Sequence, residues 1–260
     1  MARKDKLAKR KAQKKKAQKA LATQKHAENL ALKKHLSTRS SMIDPKLVAA
    51  TDLAQLDEML LDSEGKLRIR SSSVYDKIDH MALRFWCNRR AFYGLPTTEL
   101  ISWLQEFIGD RSAIEVGSGN GALGRALDIP RTDSHLQRRP DVAMQYMLQG
   151  QPTIPYASDV QKLEAMDAVR MFKPQVVVGS WVTHWIDPHK PFPEGGGNMY
   201  GLHEDQILDH PGVEAYVVVG HTNVHSHKPI LKRPHRIIEA PWLRSRGADP
   251  EGNRIYIWEV

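Results

Sequence analysis

The segment Ala113-Ile-Glu115-Val-Gly117-Ser118-Gly119-Asn-Gly121-Ala-Leu-Gly124-Arg-Ala-Leu constrains the fold more than any other part of the chain. Strand-forming residues run into a turn with glycine at every second position, and a helical stretch follows directly. Strand, glycine turn and helix in that order open a βαβ unit, and glycine there lets backbone take conformations closed to other residues or approach a bulky ligand. Further β-rich runs recur at Pro130–Asp133, Thr153–Ala157, Gln175–Gly179, Ala215–Val219, Arg236–Glu239 and Ile255–Trp258, mostly separated by helical stretches. With Ala113–Val116 they predict an α/β fold, a mostly parallel seven-stranded sheet with helices on both faces. Ligands of such sheets gather at the C-terminal strand ends, which here carry Glu115, Asp133, Asp159, Ser180 and His221.

Gly119, Gly121 and Gly124 also satisfy the G-x-G-x-x-G spacing of dinucleotide sites. Glu115 argues for another ligand, because a carboxylate at the strand end repels a diphosphate and attracts a cationic amino group. Glu115-x-Gly117-x-Gly119-x-Gly121 resembles the first motif of class I S-adenosylmethionine-dependent methyltransferases, and the similarity extends over roughly residues 97–260. The resemblance implies a Rossmann-like sheet whose last strand, Ile255–Trp258, is antiparallel. It implies S-adenosyl-L-methionine as cofactor, bound around Glu115, Gly117, Ser118, Gly119, Gly121 and Ser180. By the same resemblance, Asp133 holds the ribose hydroxyls and Asp159 hydrogen-bonds the adenine. A dinucleotide enzyme and a non-catalytic binding protein on a decayed methyltransferase fold remain the alternatives.

In that family the fourth strand ends at the reaction centre, here Ser180-Trp181-Val-Thr-His184-Trp185. No Asp/Asn-Pro-Pro-aromatic motif follows it, so methylation of an exocyclic base amine is not supported. Cys87 lies ahead of the cofactor motif, so attack of a cysteine on a pyrimidine is not supported either. Trp181, Trp185, His203 and His221 are candidates for acceptor binding, and His184 is the candidate base. The competing reading has the tryptophans packing the sheet edge and His184 merely solvated. Eight of the twelve histidines fall between 184 and 235, with His221, His225 and His227 closely spaced, but the spacing matches no standard zinc motif and no metal is assigned. Pro191–Leu202, with its three consecutive glycines, reads as a flexible loop over the site.

The net charge of +8 is unevenly spread: residues 1–40 carry +12 and the rest −4. Residues 1–36 are rich in Ala, Lys and Gln without Gly or Pro, which predicts a conditional helix with little to bury. Such a tail suits salt-sensitive attachment to nucleic acid, or simply solubilises the body. Three parts follow: a basic tail over 1–40, a helical extension over 41–96, and the sheet domain over 97–260. Helices are expected at 46–61, 74–92 and from Thr97 to Phe107. Leu83–Tyr93 mixes aromatics with arginines, which suits a ligand pocket or a packed helix whose arginines reach solvent. Apolar runs are too short to span a bilayer, so no membrane is expected. The single cysteine and the absence of a secretory leader fit an intracellular, cytoplasmic setting, and nothing sets an oligomeric state.

Overall fold

The computed structural model describes residues 50–187 and 197–260, with side chains over 53–187 and 199–260. The basic tail, residues 41–49 of the helical extension and the first half of the Pro191–Leu202 segment lie outside the described residues. Seven strands form the main sheet: β1 Ala113–Val116, β2 Arg131–Asp133, β3 Gln161–Lys162, β4 Val176–Ser180, β5 Ala215–His221, β6 Arg236–Ile238 and β7 Asn253–Glu259. Their spatial order is β3-β2-β1-β4-β5-β7-β6. The first five are parallel, and β7 runs antiparallel between β5 and β6, as expected of the last strand.

The helices used below are α1 Ala50–Leu60, α2 His80–Arg89, α3 Thr98–Ile108, α4 Ala122–Ala126, α5 Pro140–Leu148, α6 Ala165–Phe172 and α7 Glu204–Leu208. Side chains alternate along β5 and divide the core in two. Tyr216 and Val218 pack with Ala168 and Val169 of α6 and Ile207 and Leu208 of α7. Ala215, Val217 and Val219 pack on the other face with Leu100 and Leu104 of α3 and Leu123 of α4. Covering both faces explains why β4 reads as unbroken Val176-Val177-Val178 rather than alternating polar and apolar. Among the described residues no helix is long and apolar enough to cross a membrane.

Two expectations are corrected. Thr153–Ala157 is not a strand, and the edge strand is the short β3 downstream. Pro152 and Pro155 explain this, since proline has no N–H to give to a ladder. The expected helix over 74–92 is broken. A single turn spans Ser72–Tyr75, and α2 starts afresh where Asp79 caps it by accepting the Ala82 amide at 2.9 Å. Thr97 caps α3 in the same way through the Leu100 amide.

Residues 53–95 bury a third cluster, including Leu60, Tyr75, Leu83, Trp86, Cys87 and Phe92, against Ala122 of α4. Two ties fix this layer to the rest of the fold. Glu99 accepts from the Ser71 hydroxyl at 2.8 Å and the Ser72 amide at 3.0 Å. Gly94–Leu95 pairs antiparallel with Arg244–Ser245. Burial pushes the Cys87 thiol up to about 12, so it is an inert packing residue.

Candidate functional site

The chain runs from β1 outward through β2 and β3, then returns to β4 on the opposite side of β1. This reversal opens a crevice beyond the C-terminal ends of β1 and β4. The glycine turn occupies one side of it. Gly117, Gly119 and Gly121 have φ of 60°, 57° and 72°, the left-handed region that side-chain-bearing residues avoid. Two of the three are also shaped by protein packing. A Cβ on Gly117 would lie 2.7 Å from Val182, and one on Gly121 would lie 2.6 Å from Val160. Gly119 has only Ile154 nearby, at 3.5 Å. The close approach expected of a ligand at all three glycines is therefore made by protein side chains at two of them.

The turn's amides are consumed internally. Gly119 N–H donates to Asp133 Oδ2 at 2.9 Å, Gly121 N–H to the Ser118 carbonyl at 2.9 Å, and Gly124 N–H to Glu115 Oε2 at 2.9 Å. Two of the three acceptors are carboxyl groups, so the turn is closed to the phosphates it would cradle in a dinucleotide fold.

Glu115 is 1% exposed, and its carboxyl lies beneath α4. Burial pushes its pKa up to about 8, against the pull of the Gly124 amide, and nearby Asp133 adds to the rise. A carboxyl that stays protonated near neutrality is not the charged attractor expected at this position. It acts by tying α4 to β1.

Asp133 ends β2. Its second oxygen accepts the His135 amide at 2.8 Å, and burial raises its pKa. Tyr156 also hydrogen-bonds this carboxylate, so three of its roughly four acceptor positions are taken. Beside it, the buried rings of His135 and Tyr156 stack with centroids 4.3 Å apart, and Arg138 lies 5.3 Å from the Tyr156 centroid. Asp159 is placed differently from the expectation. Its carboxylate takes Arg125 Nε at 2.8 Å and Arg131 Nη2 at 2.8 Å, and these guanidiniums hold its pKa well below the usual range. The side chain is committed to this ion pair rather than presented to an adenine.

At the end of β4, Ser180 is half-buried and Trp181 follows with φ of 58°. An aromatic residue in the left-handed region costs roughly 1–2 kcal/mol and persists only where the surroundings impose it. Those surroundings are Tyr93 at 6.1 Å, His221 at 6.0 Å and His225 at 5.7 Å between ring centroids. His221 is a buried support for Trp181. Its Nε2 lies 2.6 Å from the Asp249 carbonyl and its Nδ1 accepts the Asn223 amide, so both nitrogens are engaged. His225 Nδ1 accepts the His221 amide, and burial lowers the ring's pKa to about 3.

His184 is not solvated. It is 6% exposed, with Nδ1 2.9 Å from Glu204 Oε2 and Nε2 3.6 Å from Asp205. Glu204 also accepts from Tyr216 Oη at 2.7 Å and pairs with Lys228, which donates to the Val182 carbonyl at 3.1 Å. Burial pushes the Glu204 pKa up, but Lys228, His184 and Tyr216 together outweigh it and keep the carboxyl below its ordinary range. Trp185 packs on the exposed His203 at 4.7 Å. Among the described residues no three His, Cys, Asp or Glu side chains are grouped to hold a metal.

Several buried polar atoms have no hydrogen-bond partner, including Ser118 Oγ, His135 Nε2, Trp181 Nε1 and Arg84 Nε. Such orphans are rare in native proteins and mark positions where a ligand or water completes the set. Ser118 and His135 follow β1 and β2, and Trp181 follows β4. Sequence reasoning missed His135, Tyr156, Tyr93 and Arg246. Tyr93 and Arg84 stood in the mixed Leu83–Tyr93 segment, which follows its packed-helix reading: Leu83, Trp86, Cys87 and Phe92 pack inward, while Arg89 and Arg90 are exposed. A separate cavity of about 190 Å³, lined by Leu53, Trp86, Arg89 and Arg90, contains none of the strand-end residues.

No family model matches the chain, and no curated protein matches it. Among solved structures it is similar to the hMettl16 catalytic domain in complex with MAT2A 3′UTR hairpin 6, at 12% identity and a TM-score of 0.34, covering 81% of this chain and 92% of that one. It is also similar to Thermoplasma acidophilum 1320, at 15% identity and a TM-score of 0.26 over 60% of this chain and 80% of the other. A third is the SAM-dependent methyltransferase from Agrobacterium tumefaciens, at 13% identity and a TM-score of 0.29 over 61% and 60%.

Proposed function

We propose that the chain is an S-adenosylmethionine-dependent methyltransferase. The observation that carries this reading is the accounting of the glycine turn: Asp133 and Glu115 occupy the Gly119 and Gly124 amides, which excludes a diphosphate and leaves room for an uncharged nucleoside. The residues present fit such a group. Ser118 Oγ and His135 Nε2 are unpartnered, and Asp133 retains one acceptor position toward a ribose hydroxyl.

When bound, the cofactor supplies a methyl group on an electrophilic sulfonium. The chain's own residues bind and orient. Ser118, Gly119, Asp133 and His135 hold the nucleoside side of the crevice, and Ser180, Trp181 and Tyr93 receive the acceptor. Holding two reactants aligned contributes on the order of 7–11 kcal/mol, and the packed aromatics exclude water. His184 acts through Glu204 to position the chain after β4, rather than as a free base. Residues 1–36 attach the enzyme to nucleic acid or another polyanion by charge.

Calorimetric titration with S-adenosylhomocysteine and with NAD tests the reading. Binding of the first and not the second is expected; the reverse overturns it. Radiolabelled methyl transfer into fractionated DNA, RNA, protein and small molecules then separates an enzyme from a binding protein.

A further inference from the structure

The Arg246 guanidinium lies beside Trp181, and Arg84 is close enough for the two cations to act on one another; neither has a carboxylate partner among the described residues. Arg246 lies over the Tyr93 ring, 3.5 Å from its centroid, and 6.0 Å from that of Trp181. Its backbone amide is held by the Tyr93 carbonyl at 3.0 Å. Arg84, on α2, is half-buried, and its Nε is buried without a partner. By contrast, Arg90 pairs with Asp57, Arg244 with Asp76 and Arg254 with Glu239. Burial, and then the charge of Arg246, pull the Arg84 pKa down, as expected of two cations brought together without an anion.

Three separate elements build this cluster: α2, the end of β4, and the segment after the Arg244–Ser245 pairing. Trp181 Nε1 adds an orphaned donor. A Cβ on Gly94 would lie 3.3 Å from the Trp181 ring and 2.9 Å from Ser180 Oγ, so the donor sits against the same chain segment as Tyr93. A planar guanidinium fork matches the geometry of phosphate and carboxylate oxygens.

The geometry points to an anion subsite in the acceptor pocket: Arg84 and Arg246, with Trp181 Nε1, hold an oxyanion, phosphate or carboxylate, carried by the methyl acceptor. The anion site rests on the arginine cluster, and its place in an acceptor pocket rests on the methyl-transfer reading. It narrows the acceptor to molecules bearing negative charge near the methylated atom.

The test uses the full chain at about 0.3 M salt, where exposed lysines are screened. Inorganic phosphate and acetate are titrated separately into the wild type, Arg84→Gln, Arg246→Gln and Arg246→Lys, and S-adenosylhomocysteine affinity is measured on each. Saturable binding of one anion to the wild type is expected, and the stronger of the two names the oxyanion. Each Gln variant should weaken it at least tenfold, with Arg246→Lys in between and S-adenosylhomocysteine affinity unchanged. Without any variant, the bound anion should protect Arg84 and Arg246 from phenylglyoxal, read by mass spectrometry. Absence of saturable binding, equal binding in both Gln variants, or unprotected arginines overturns the subsite. Anion binding without S-adenosylhomocysteine binding would keep the anion site and remove the methyl-transfer reading.

Discussion

Asp133 Oδ2 accepts the Gly119 amide at 2.9 Å, so the acid ending β2 holds the tip of the turn that follows β1. One contact thereby sets the spacing of two strand ends and the charge of the crevice between them. It makes the glycine turn hospitable to hydroxyls and hostile to phosphates.

Gly119→Val should abolish S-adenosylhomocysteine binding yet leave a cooperative fold. Its φ of 57° implies strain, but the added Cβ meets Ile154 at an ordinary 3.5 Å. The cost is roughly 1–2 kcal/mol. Gly121→Val should cost more, because its Cβ would stand 2.6 Å from the buried Val160. Chemical denaturation of both variants checks the order, and equal losses would contradict it.

Glu115→Gln should change the pH dependence of stability in a defined window. The folded carboxyl titrates at about 8, above its ordinary 4.5, so the folded state keeps a proton that the unfolded chain has lost. Wild-type stability contributed by this group therefore falls as pH rises through that interval, by about 1.4 kcal/mol per pH unit at most. The variant keeps an acceptor for the Gly124 amide without the charge. Its stability relative to the wild type should rise from acid to pH 8 and level off above; a pH-independent difference would refute the assignment.

Lys228→Met should destabilise the fold by about 3–5 kcal/mol, since it strands the buried Glu204 carboxylate. The double variant Lys228→Met, Glu204→Gln should recover part of the loss. Thermal unfolding of the two variants decides this, and additive losses would mean that the pair is not coupled.

His184→Ala should lower thermal stability through the same Glu204 network while leaving the shape of the pH–rate profile intact. Loss of a basic limb in the profile at unchanged stability would restore His184 as the base.

Deleting residues 1–36 should leave S-adenosylhomocysteine affinity unchanged and remove most salt-sensitive binding to nucleic acid, given the +12 carried by residues 1–40 against −4 elsewhere. Filter-binding isotherms across a salt series check it; unchanged affinity would place the nucleic-acid site on the acidic body.

The α/β class and the glycine turn after β1 were legible in the sequence, because they depend on local pattern, whereas the antiparallel final strand followed only from the family resemblance. Alternation, a run of glycines and unbroken valines report backbone conformation and two-sided burial without reference to distant residues. The site was legible only as a set of strand ends. Which groups remain available there depends on partners far along the chain. Asp159 is spent on Arg125 and Arg131, Glu115 on the Gly124 amide, His221 on Asp249 and Asn223, and His184 on Glu204. Motif positions thus named the strand ends without saying which of their groups are free, since whether a polar atom is free is a property of packing. The converse holds for Arg84, Tyr93 and Arg246. The latter two are separated by more than 150 residues and are brought together when Gly94–Leu95 pairs with Arg244–Ser245. A strand pairing two residues long, with no periodicity of its own, carried that information, and tertiary structure alone decided it.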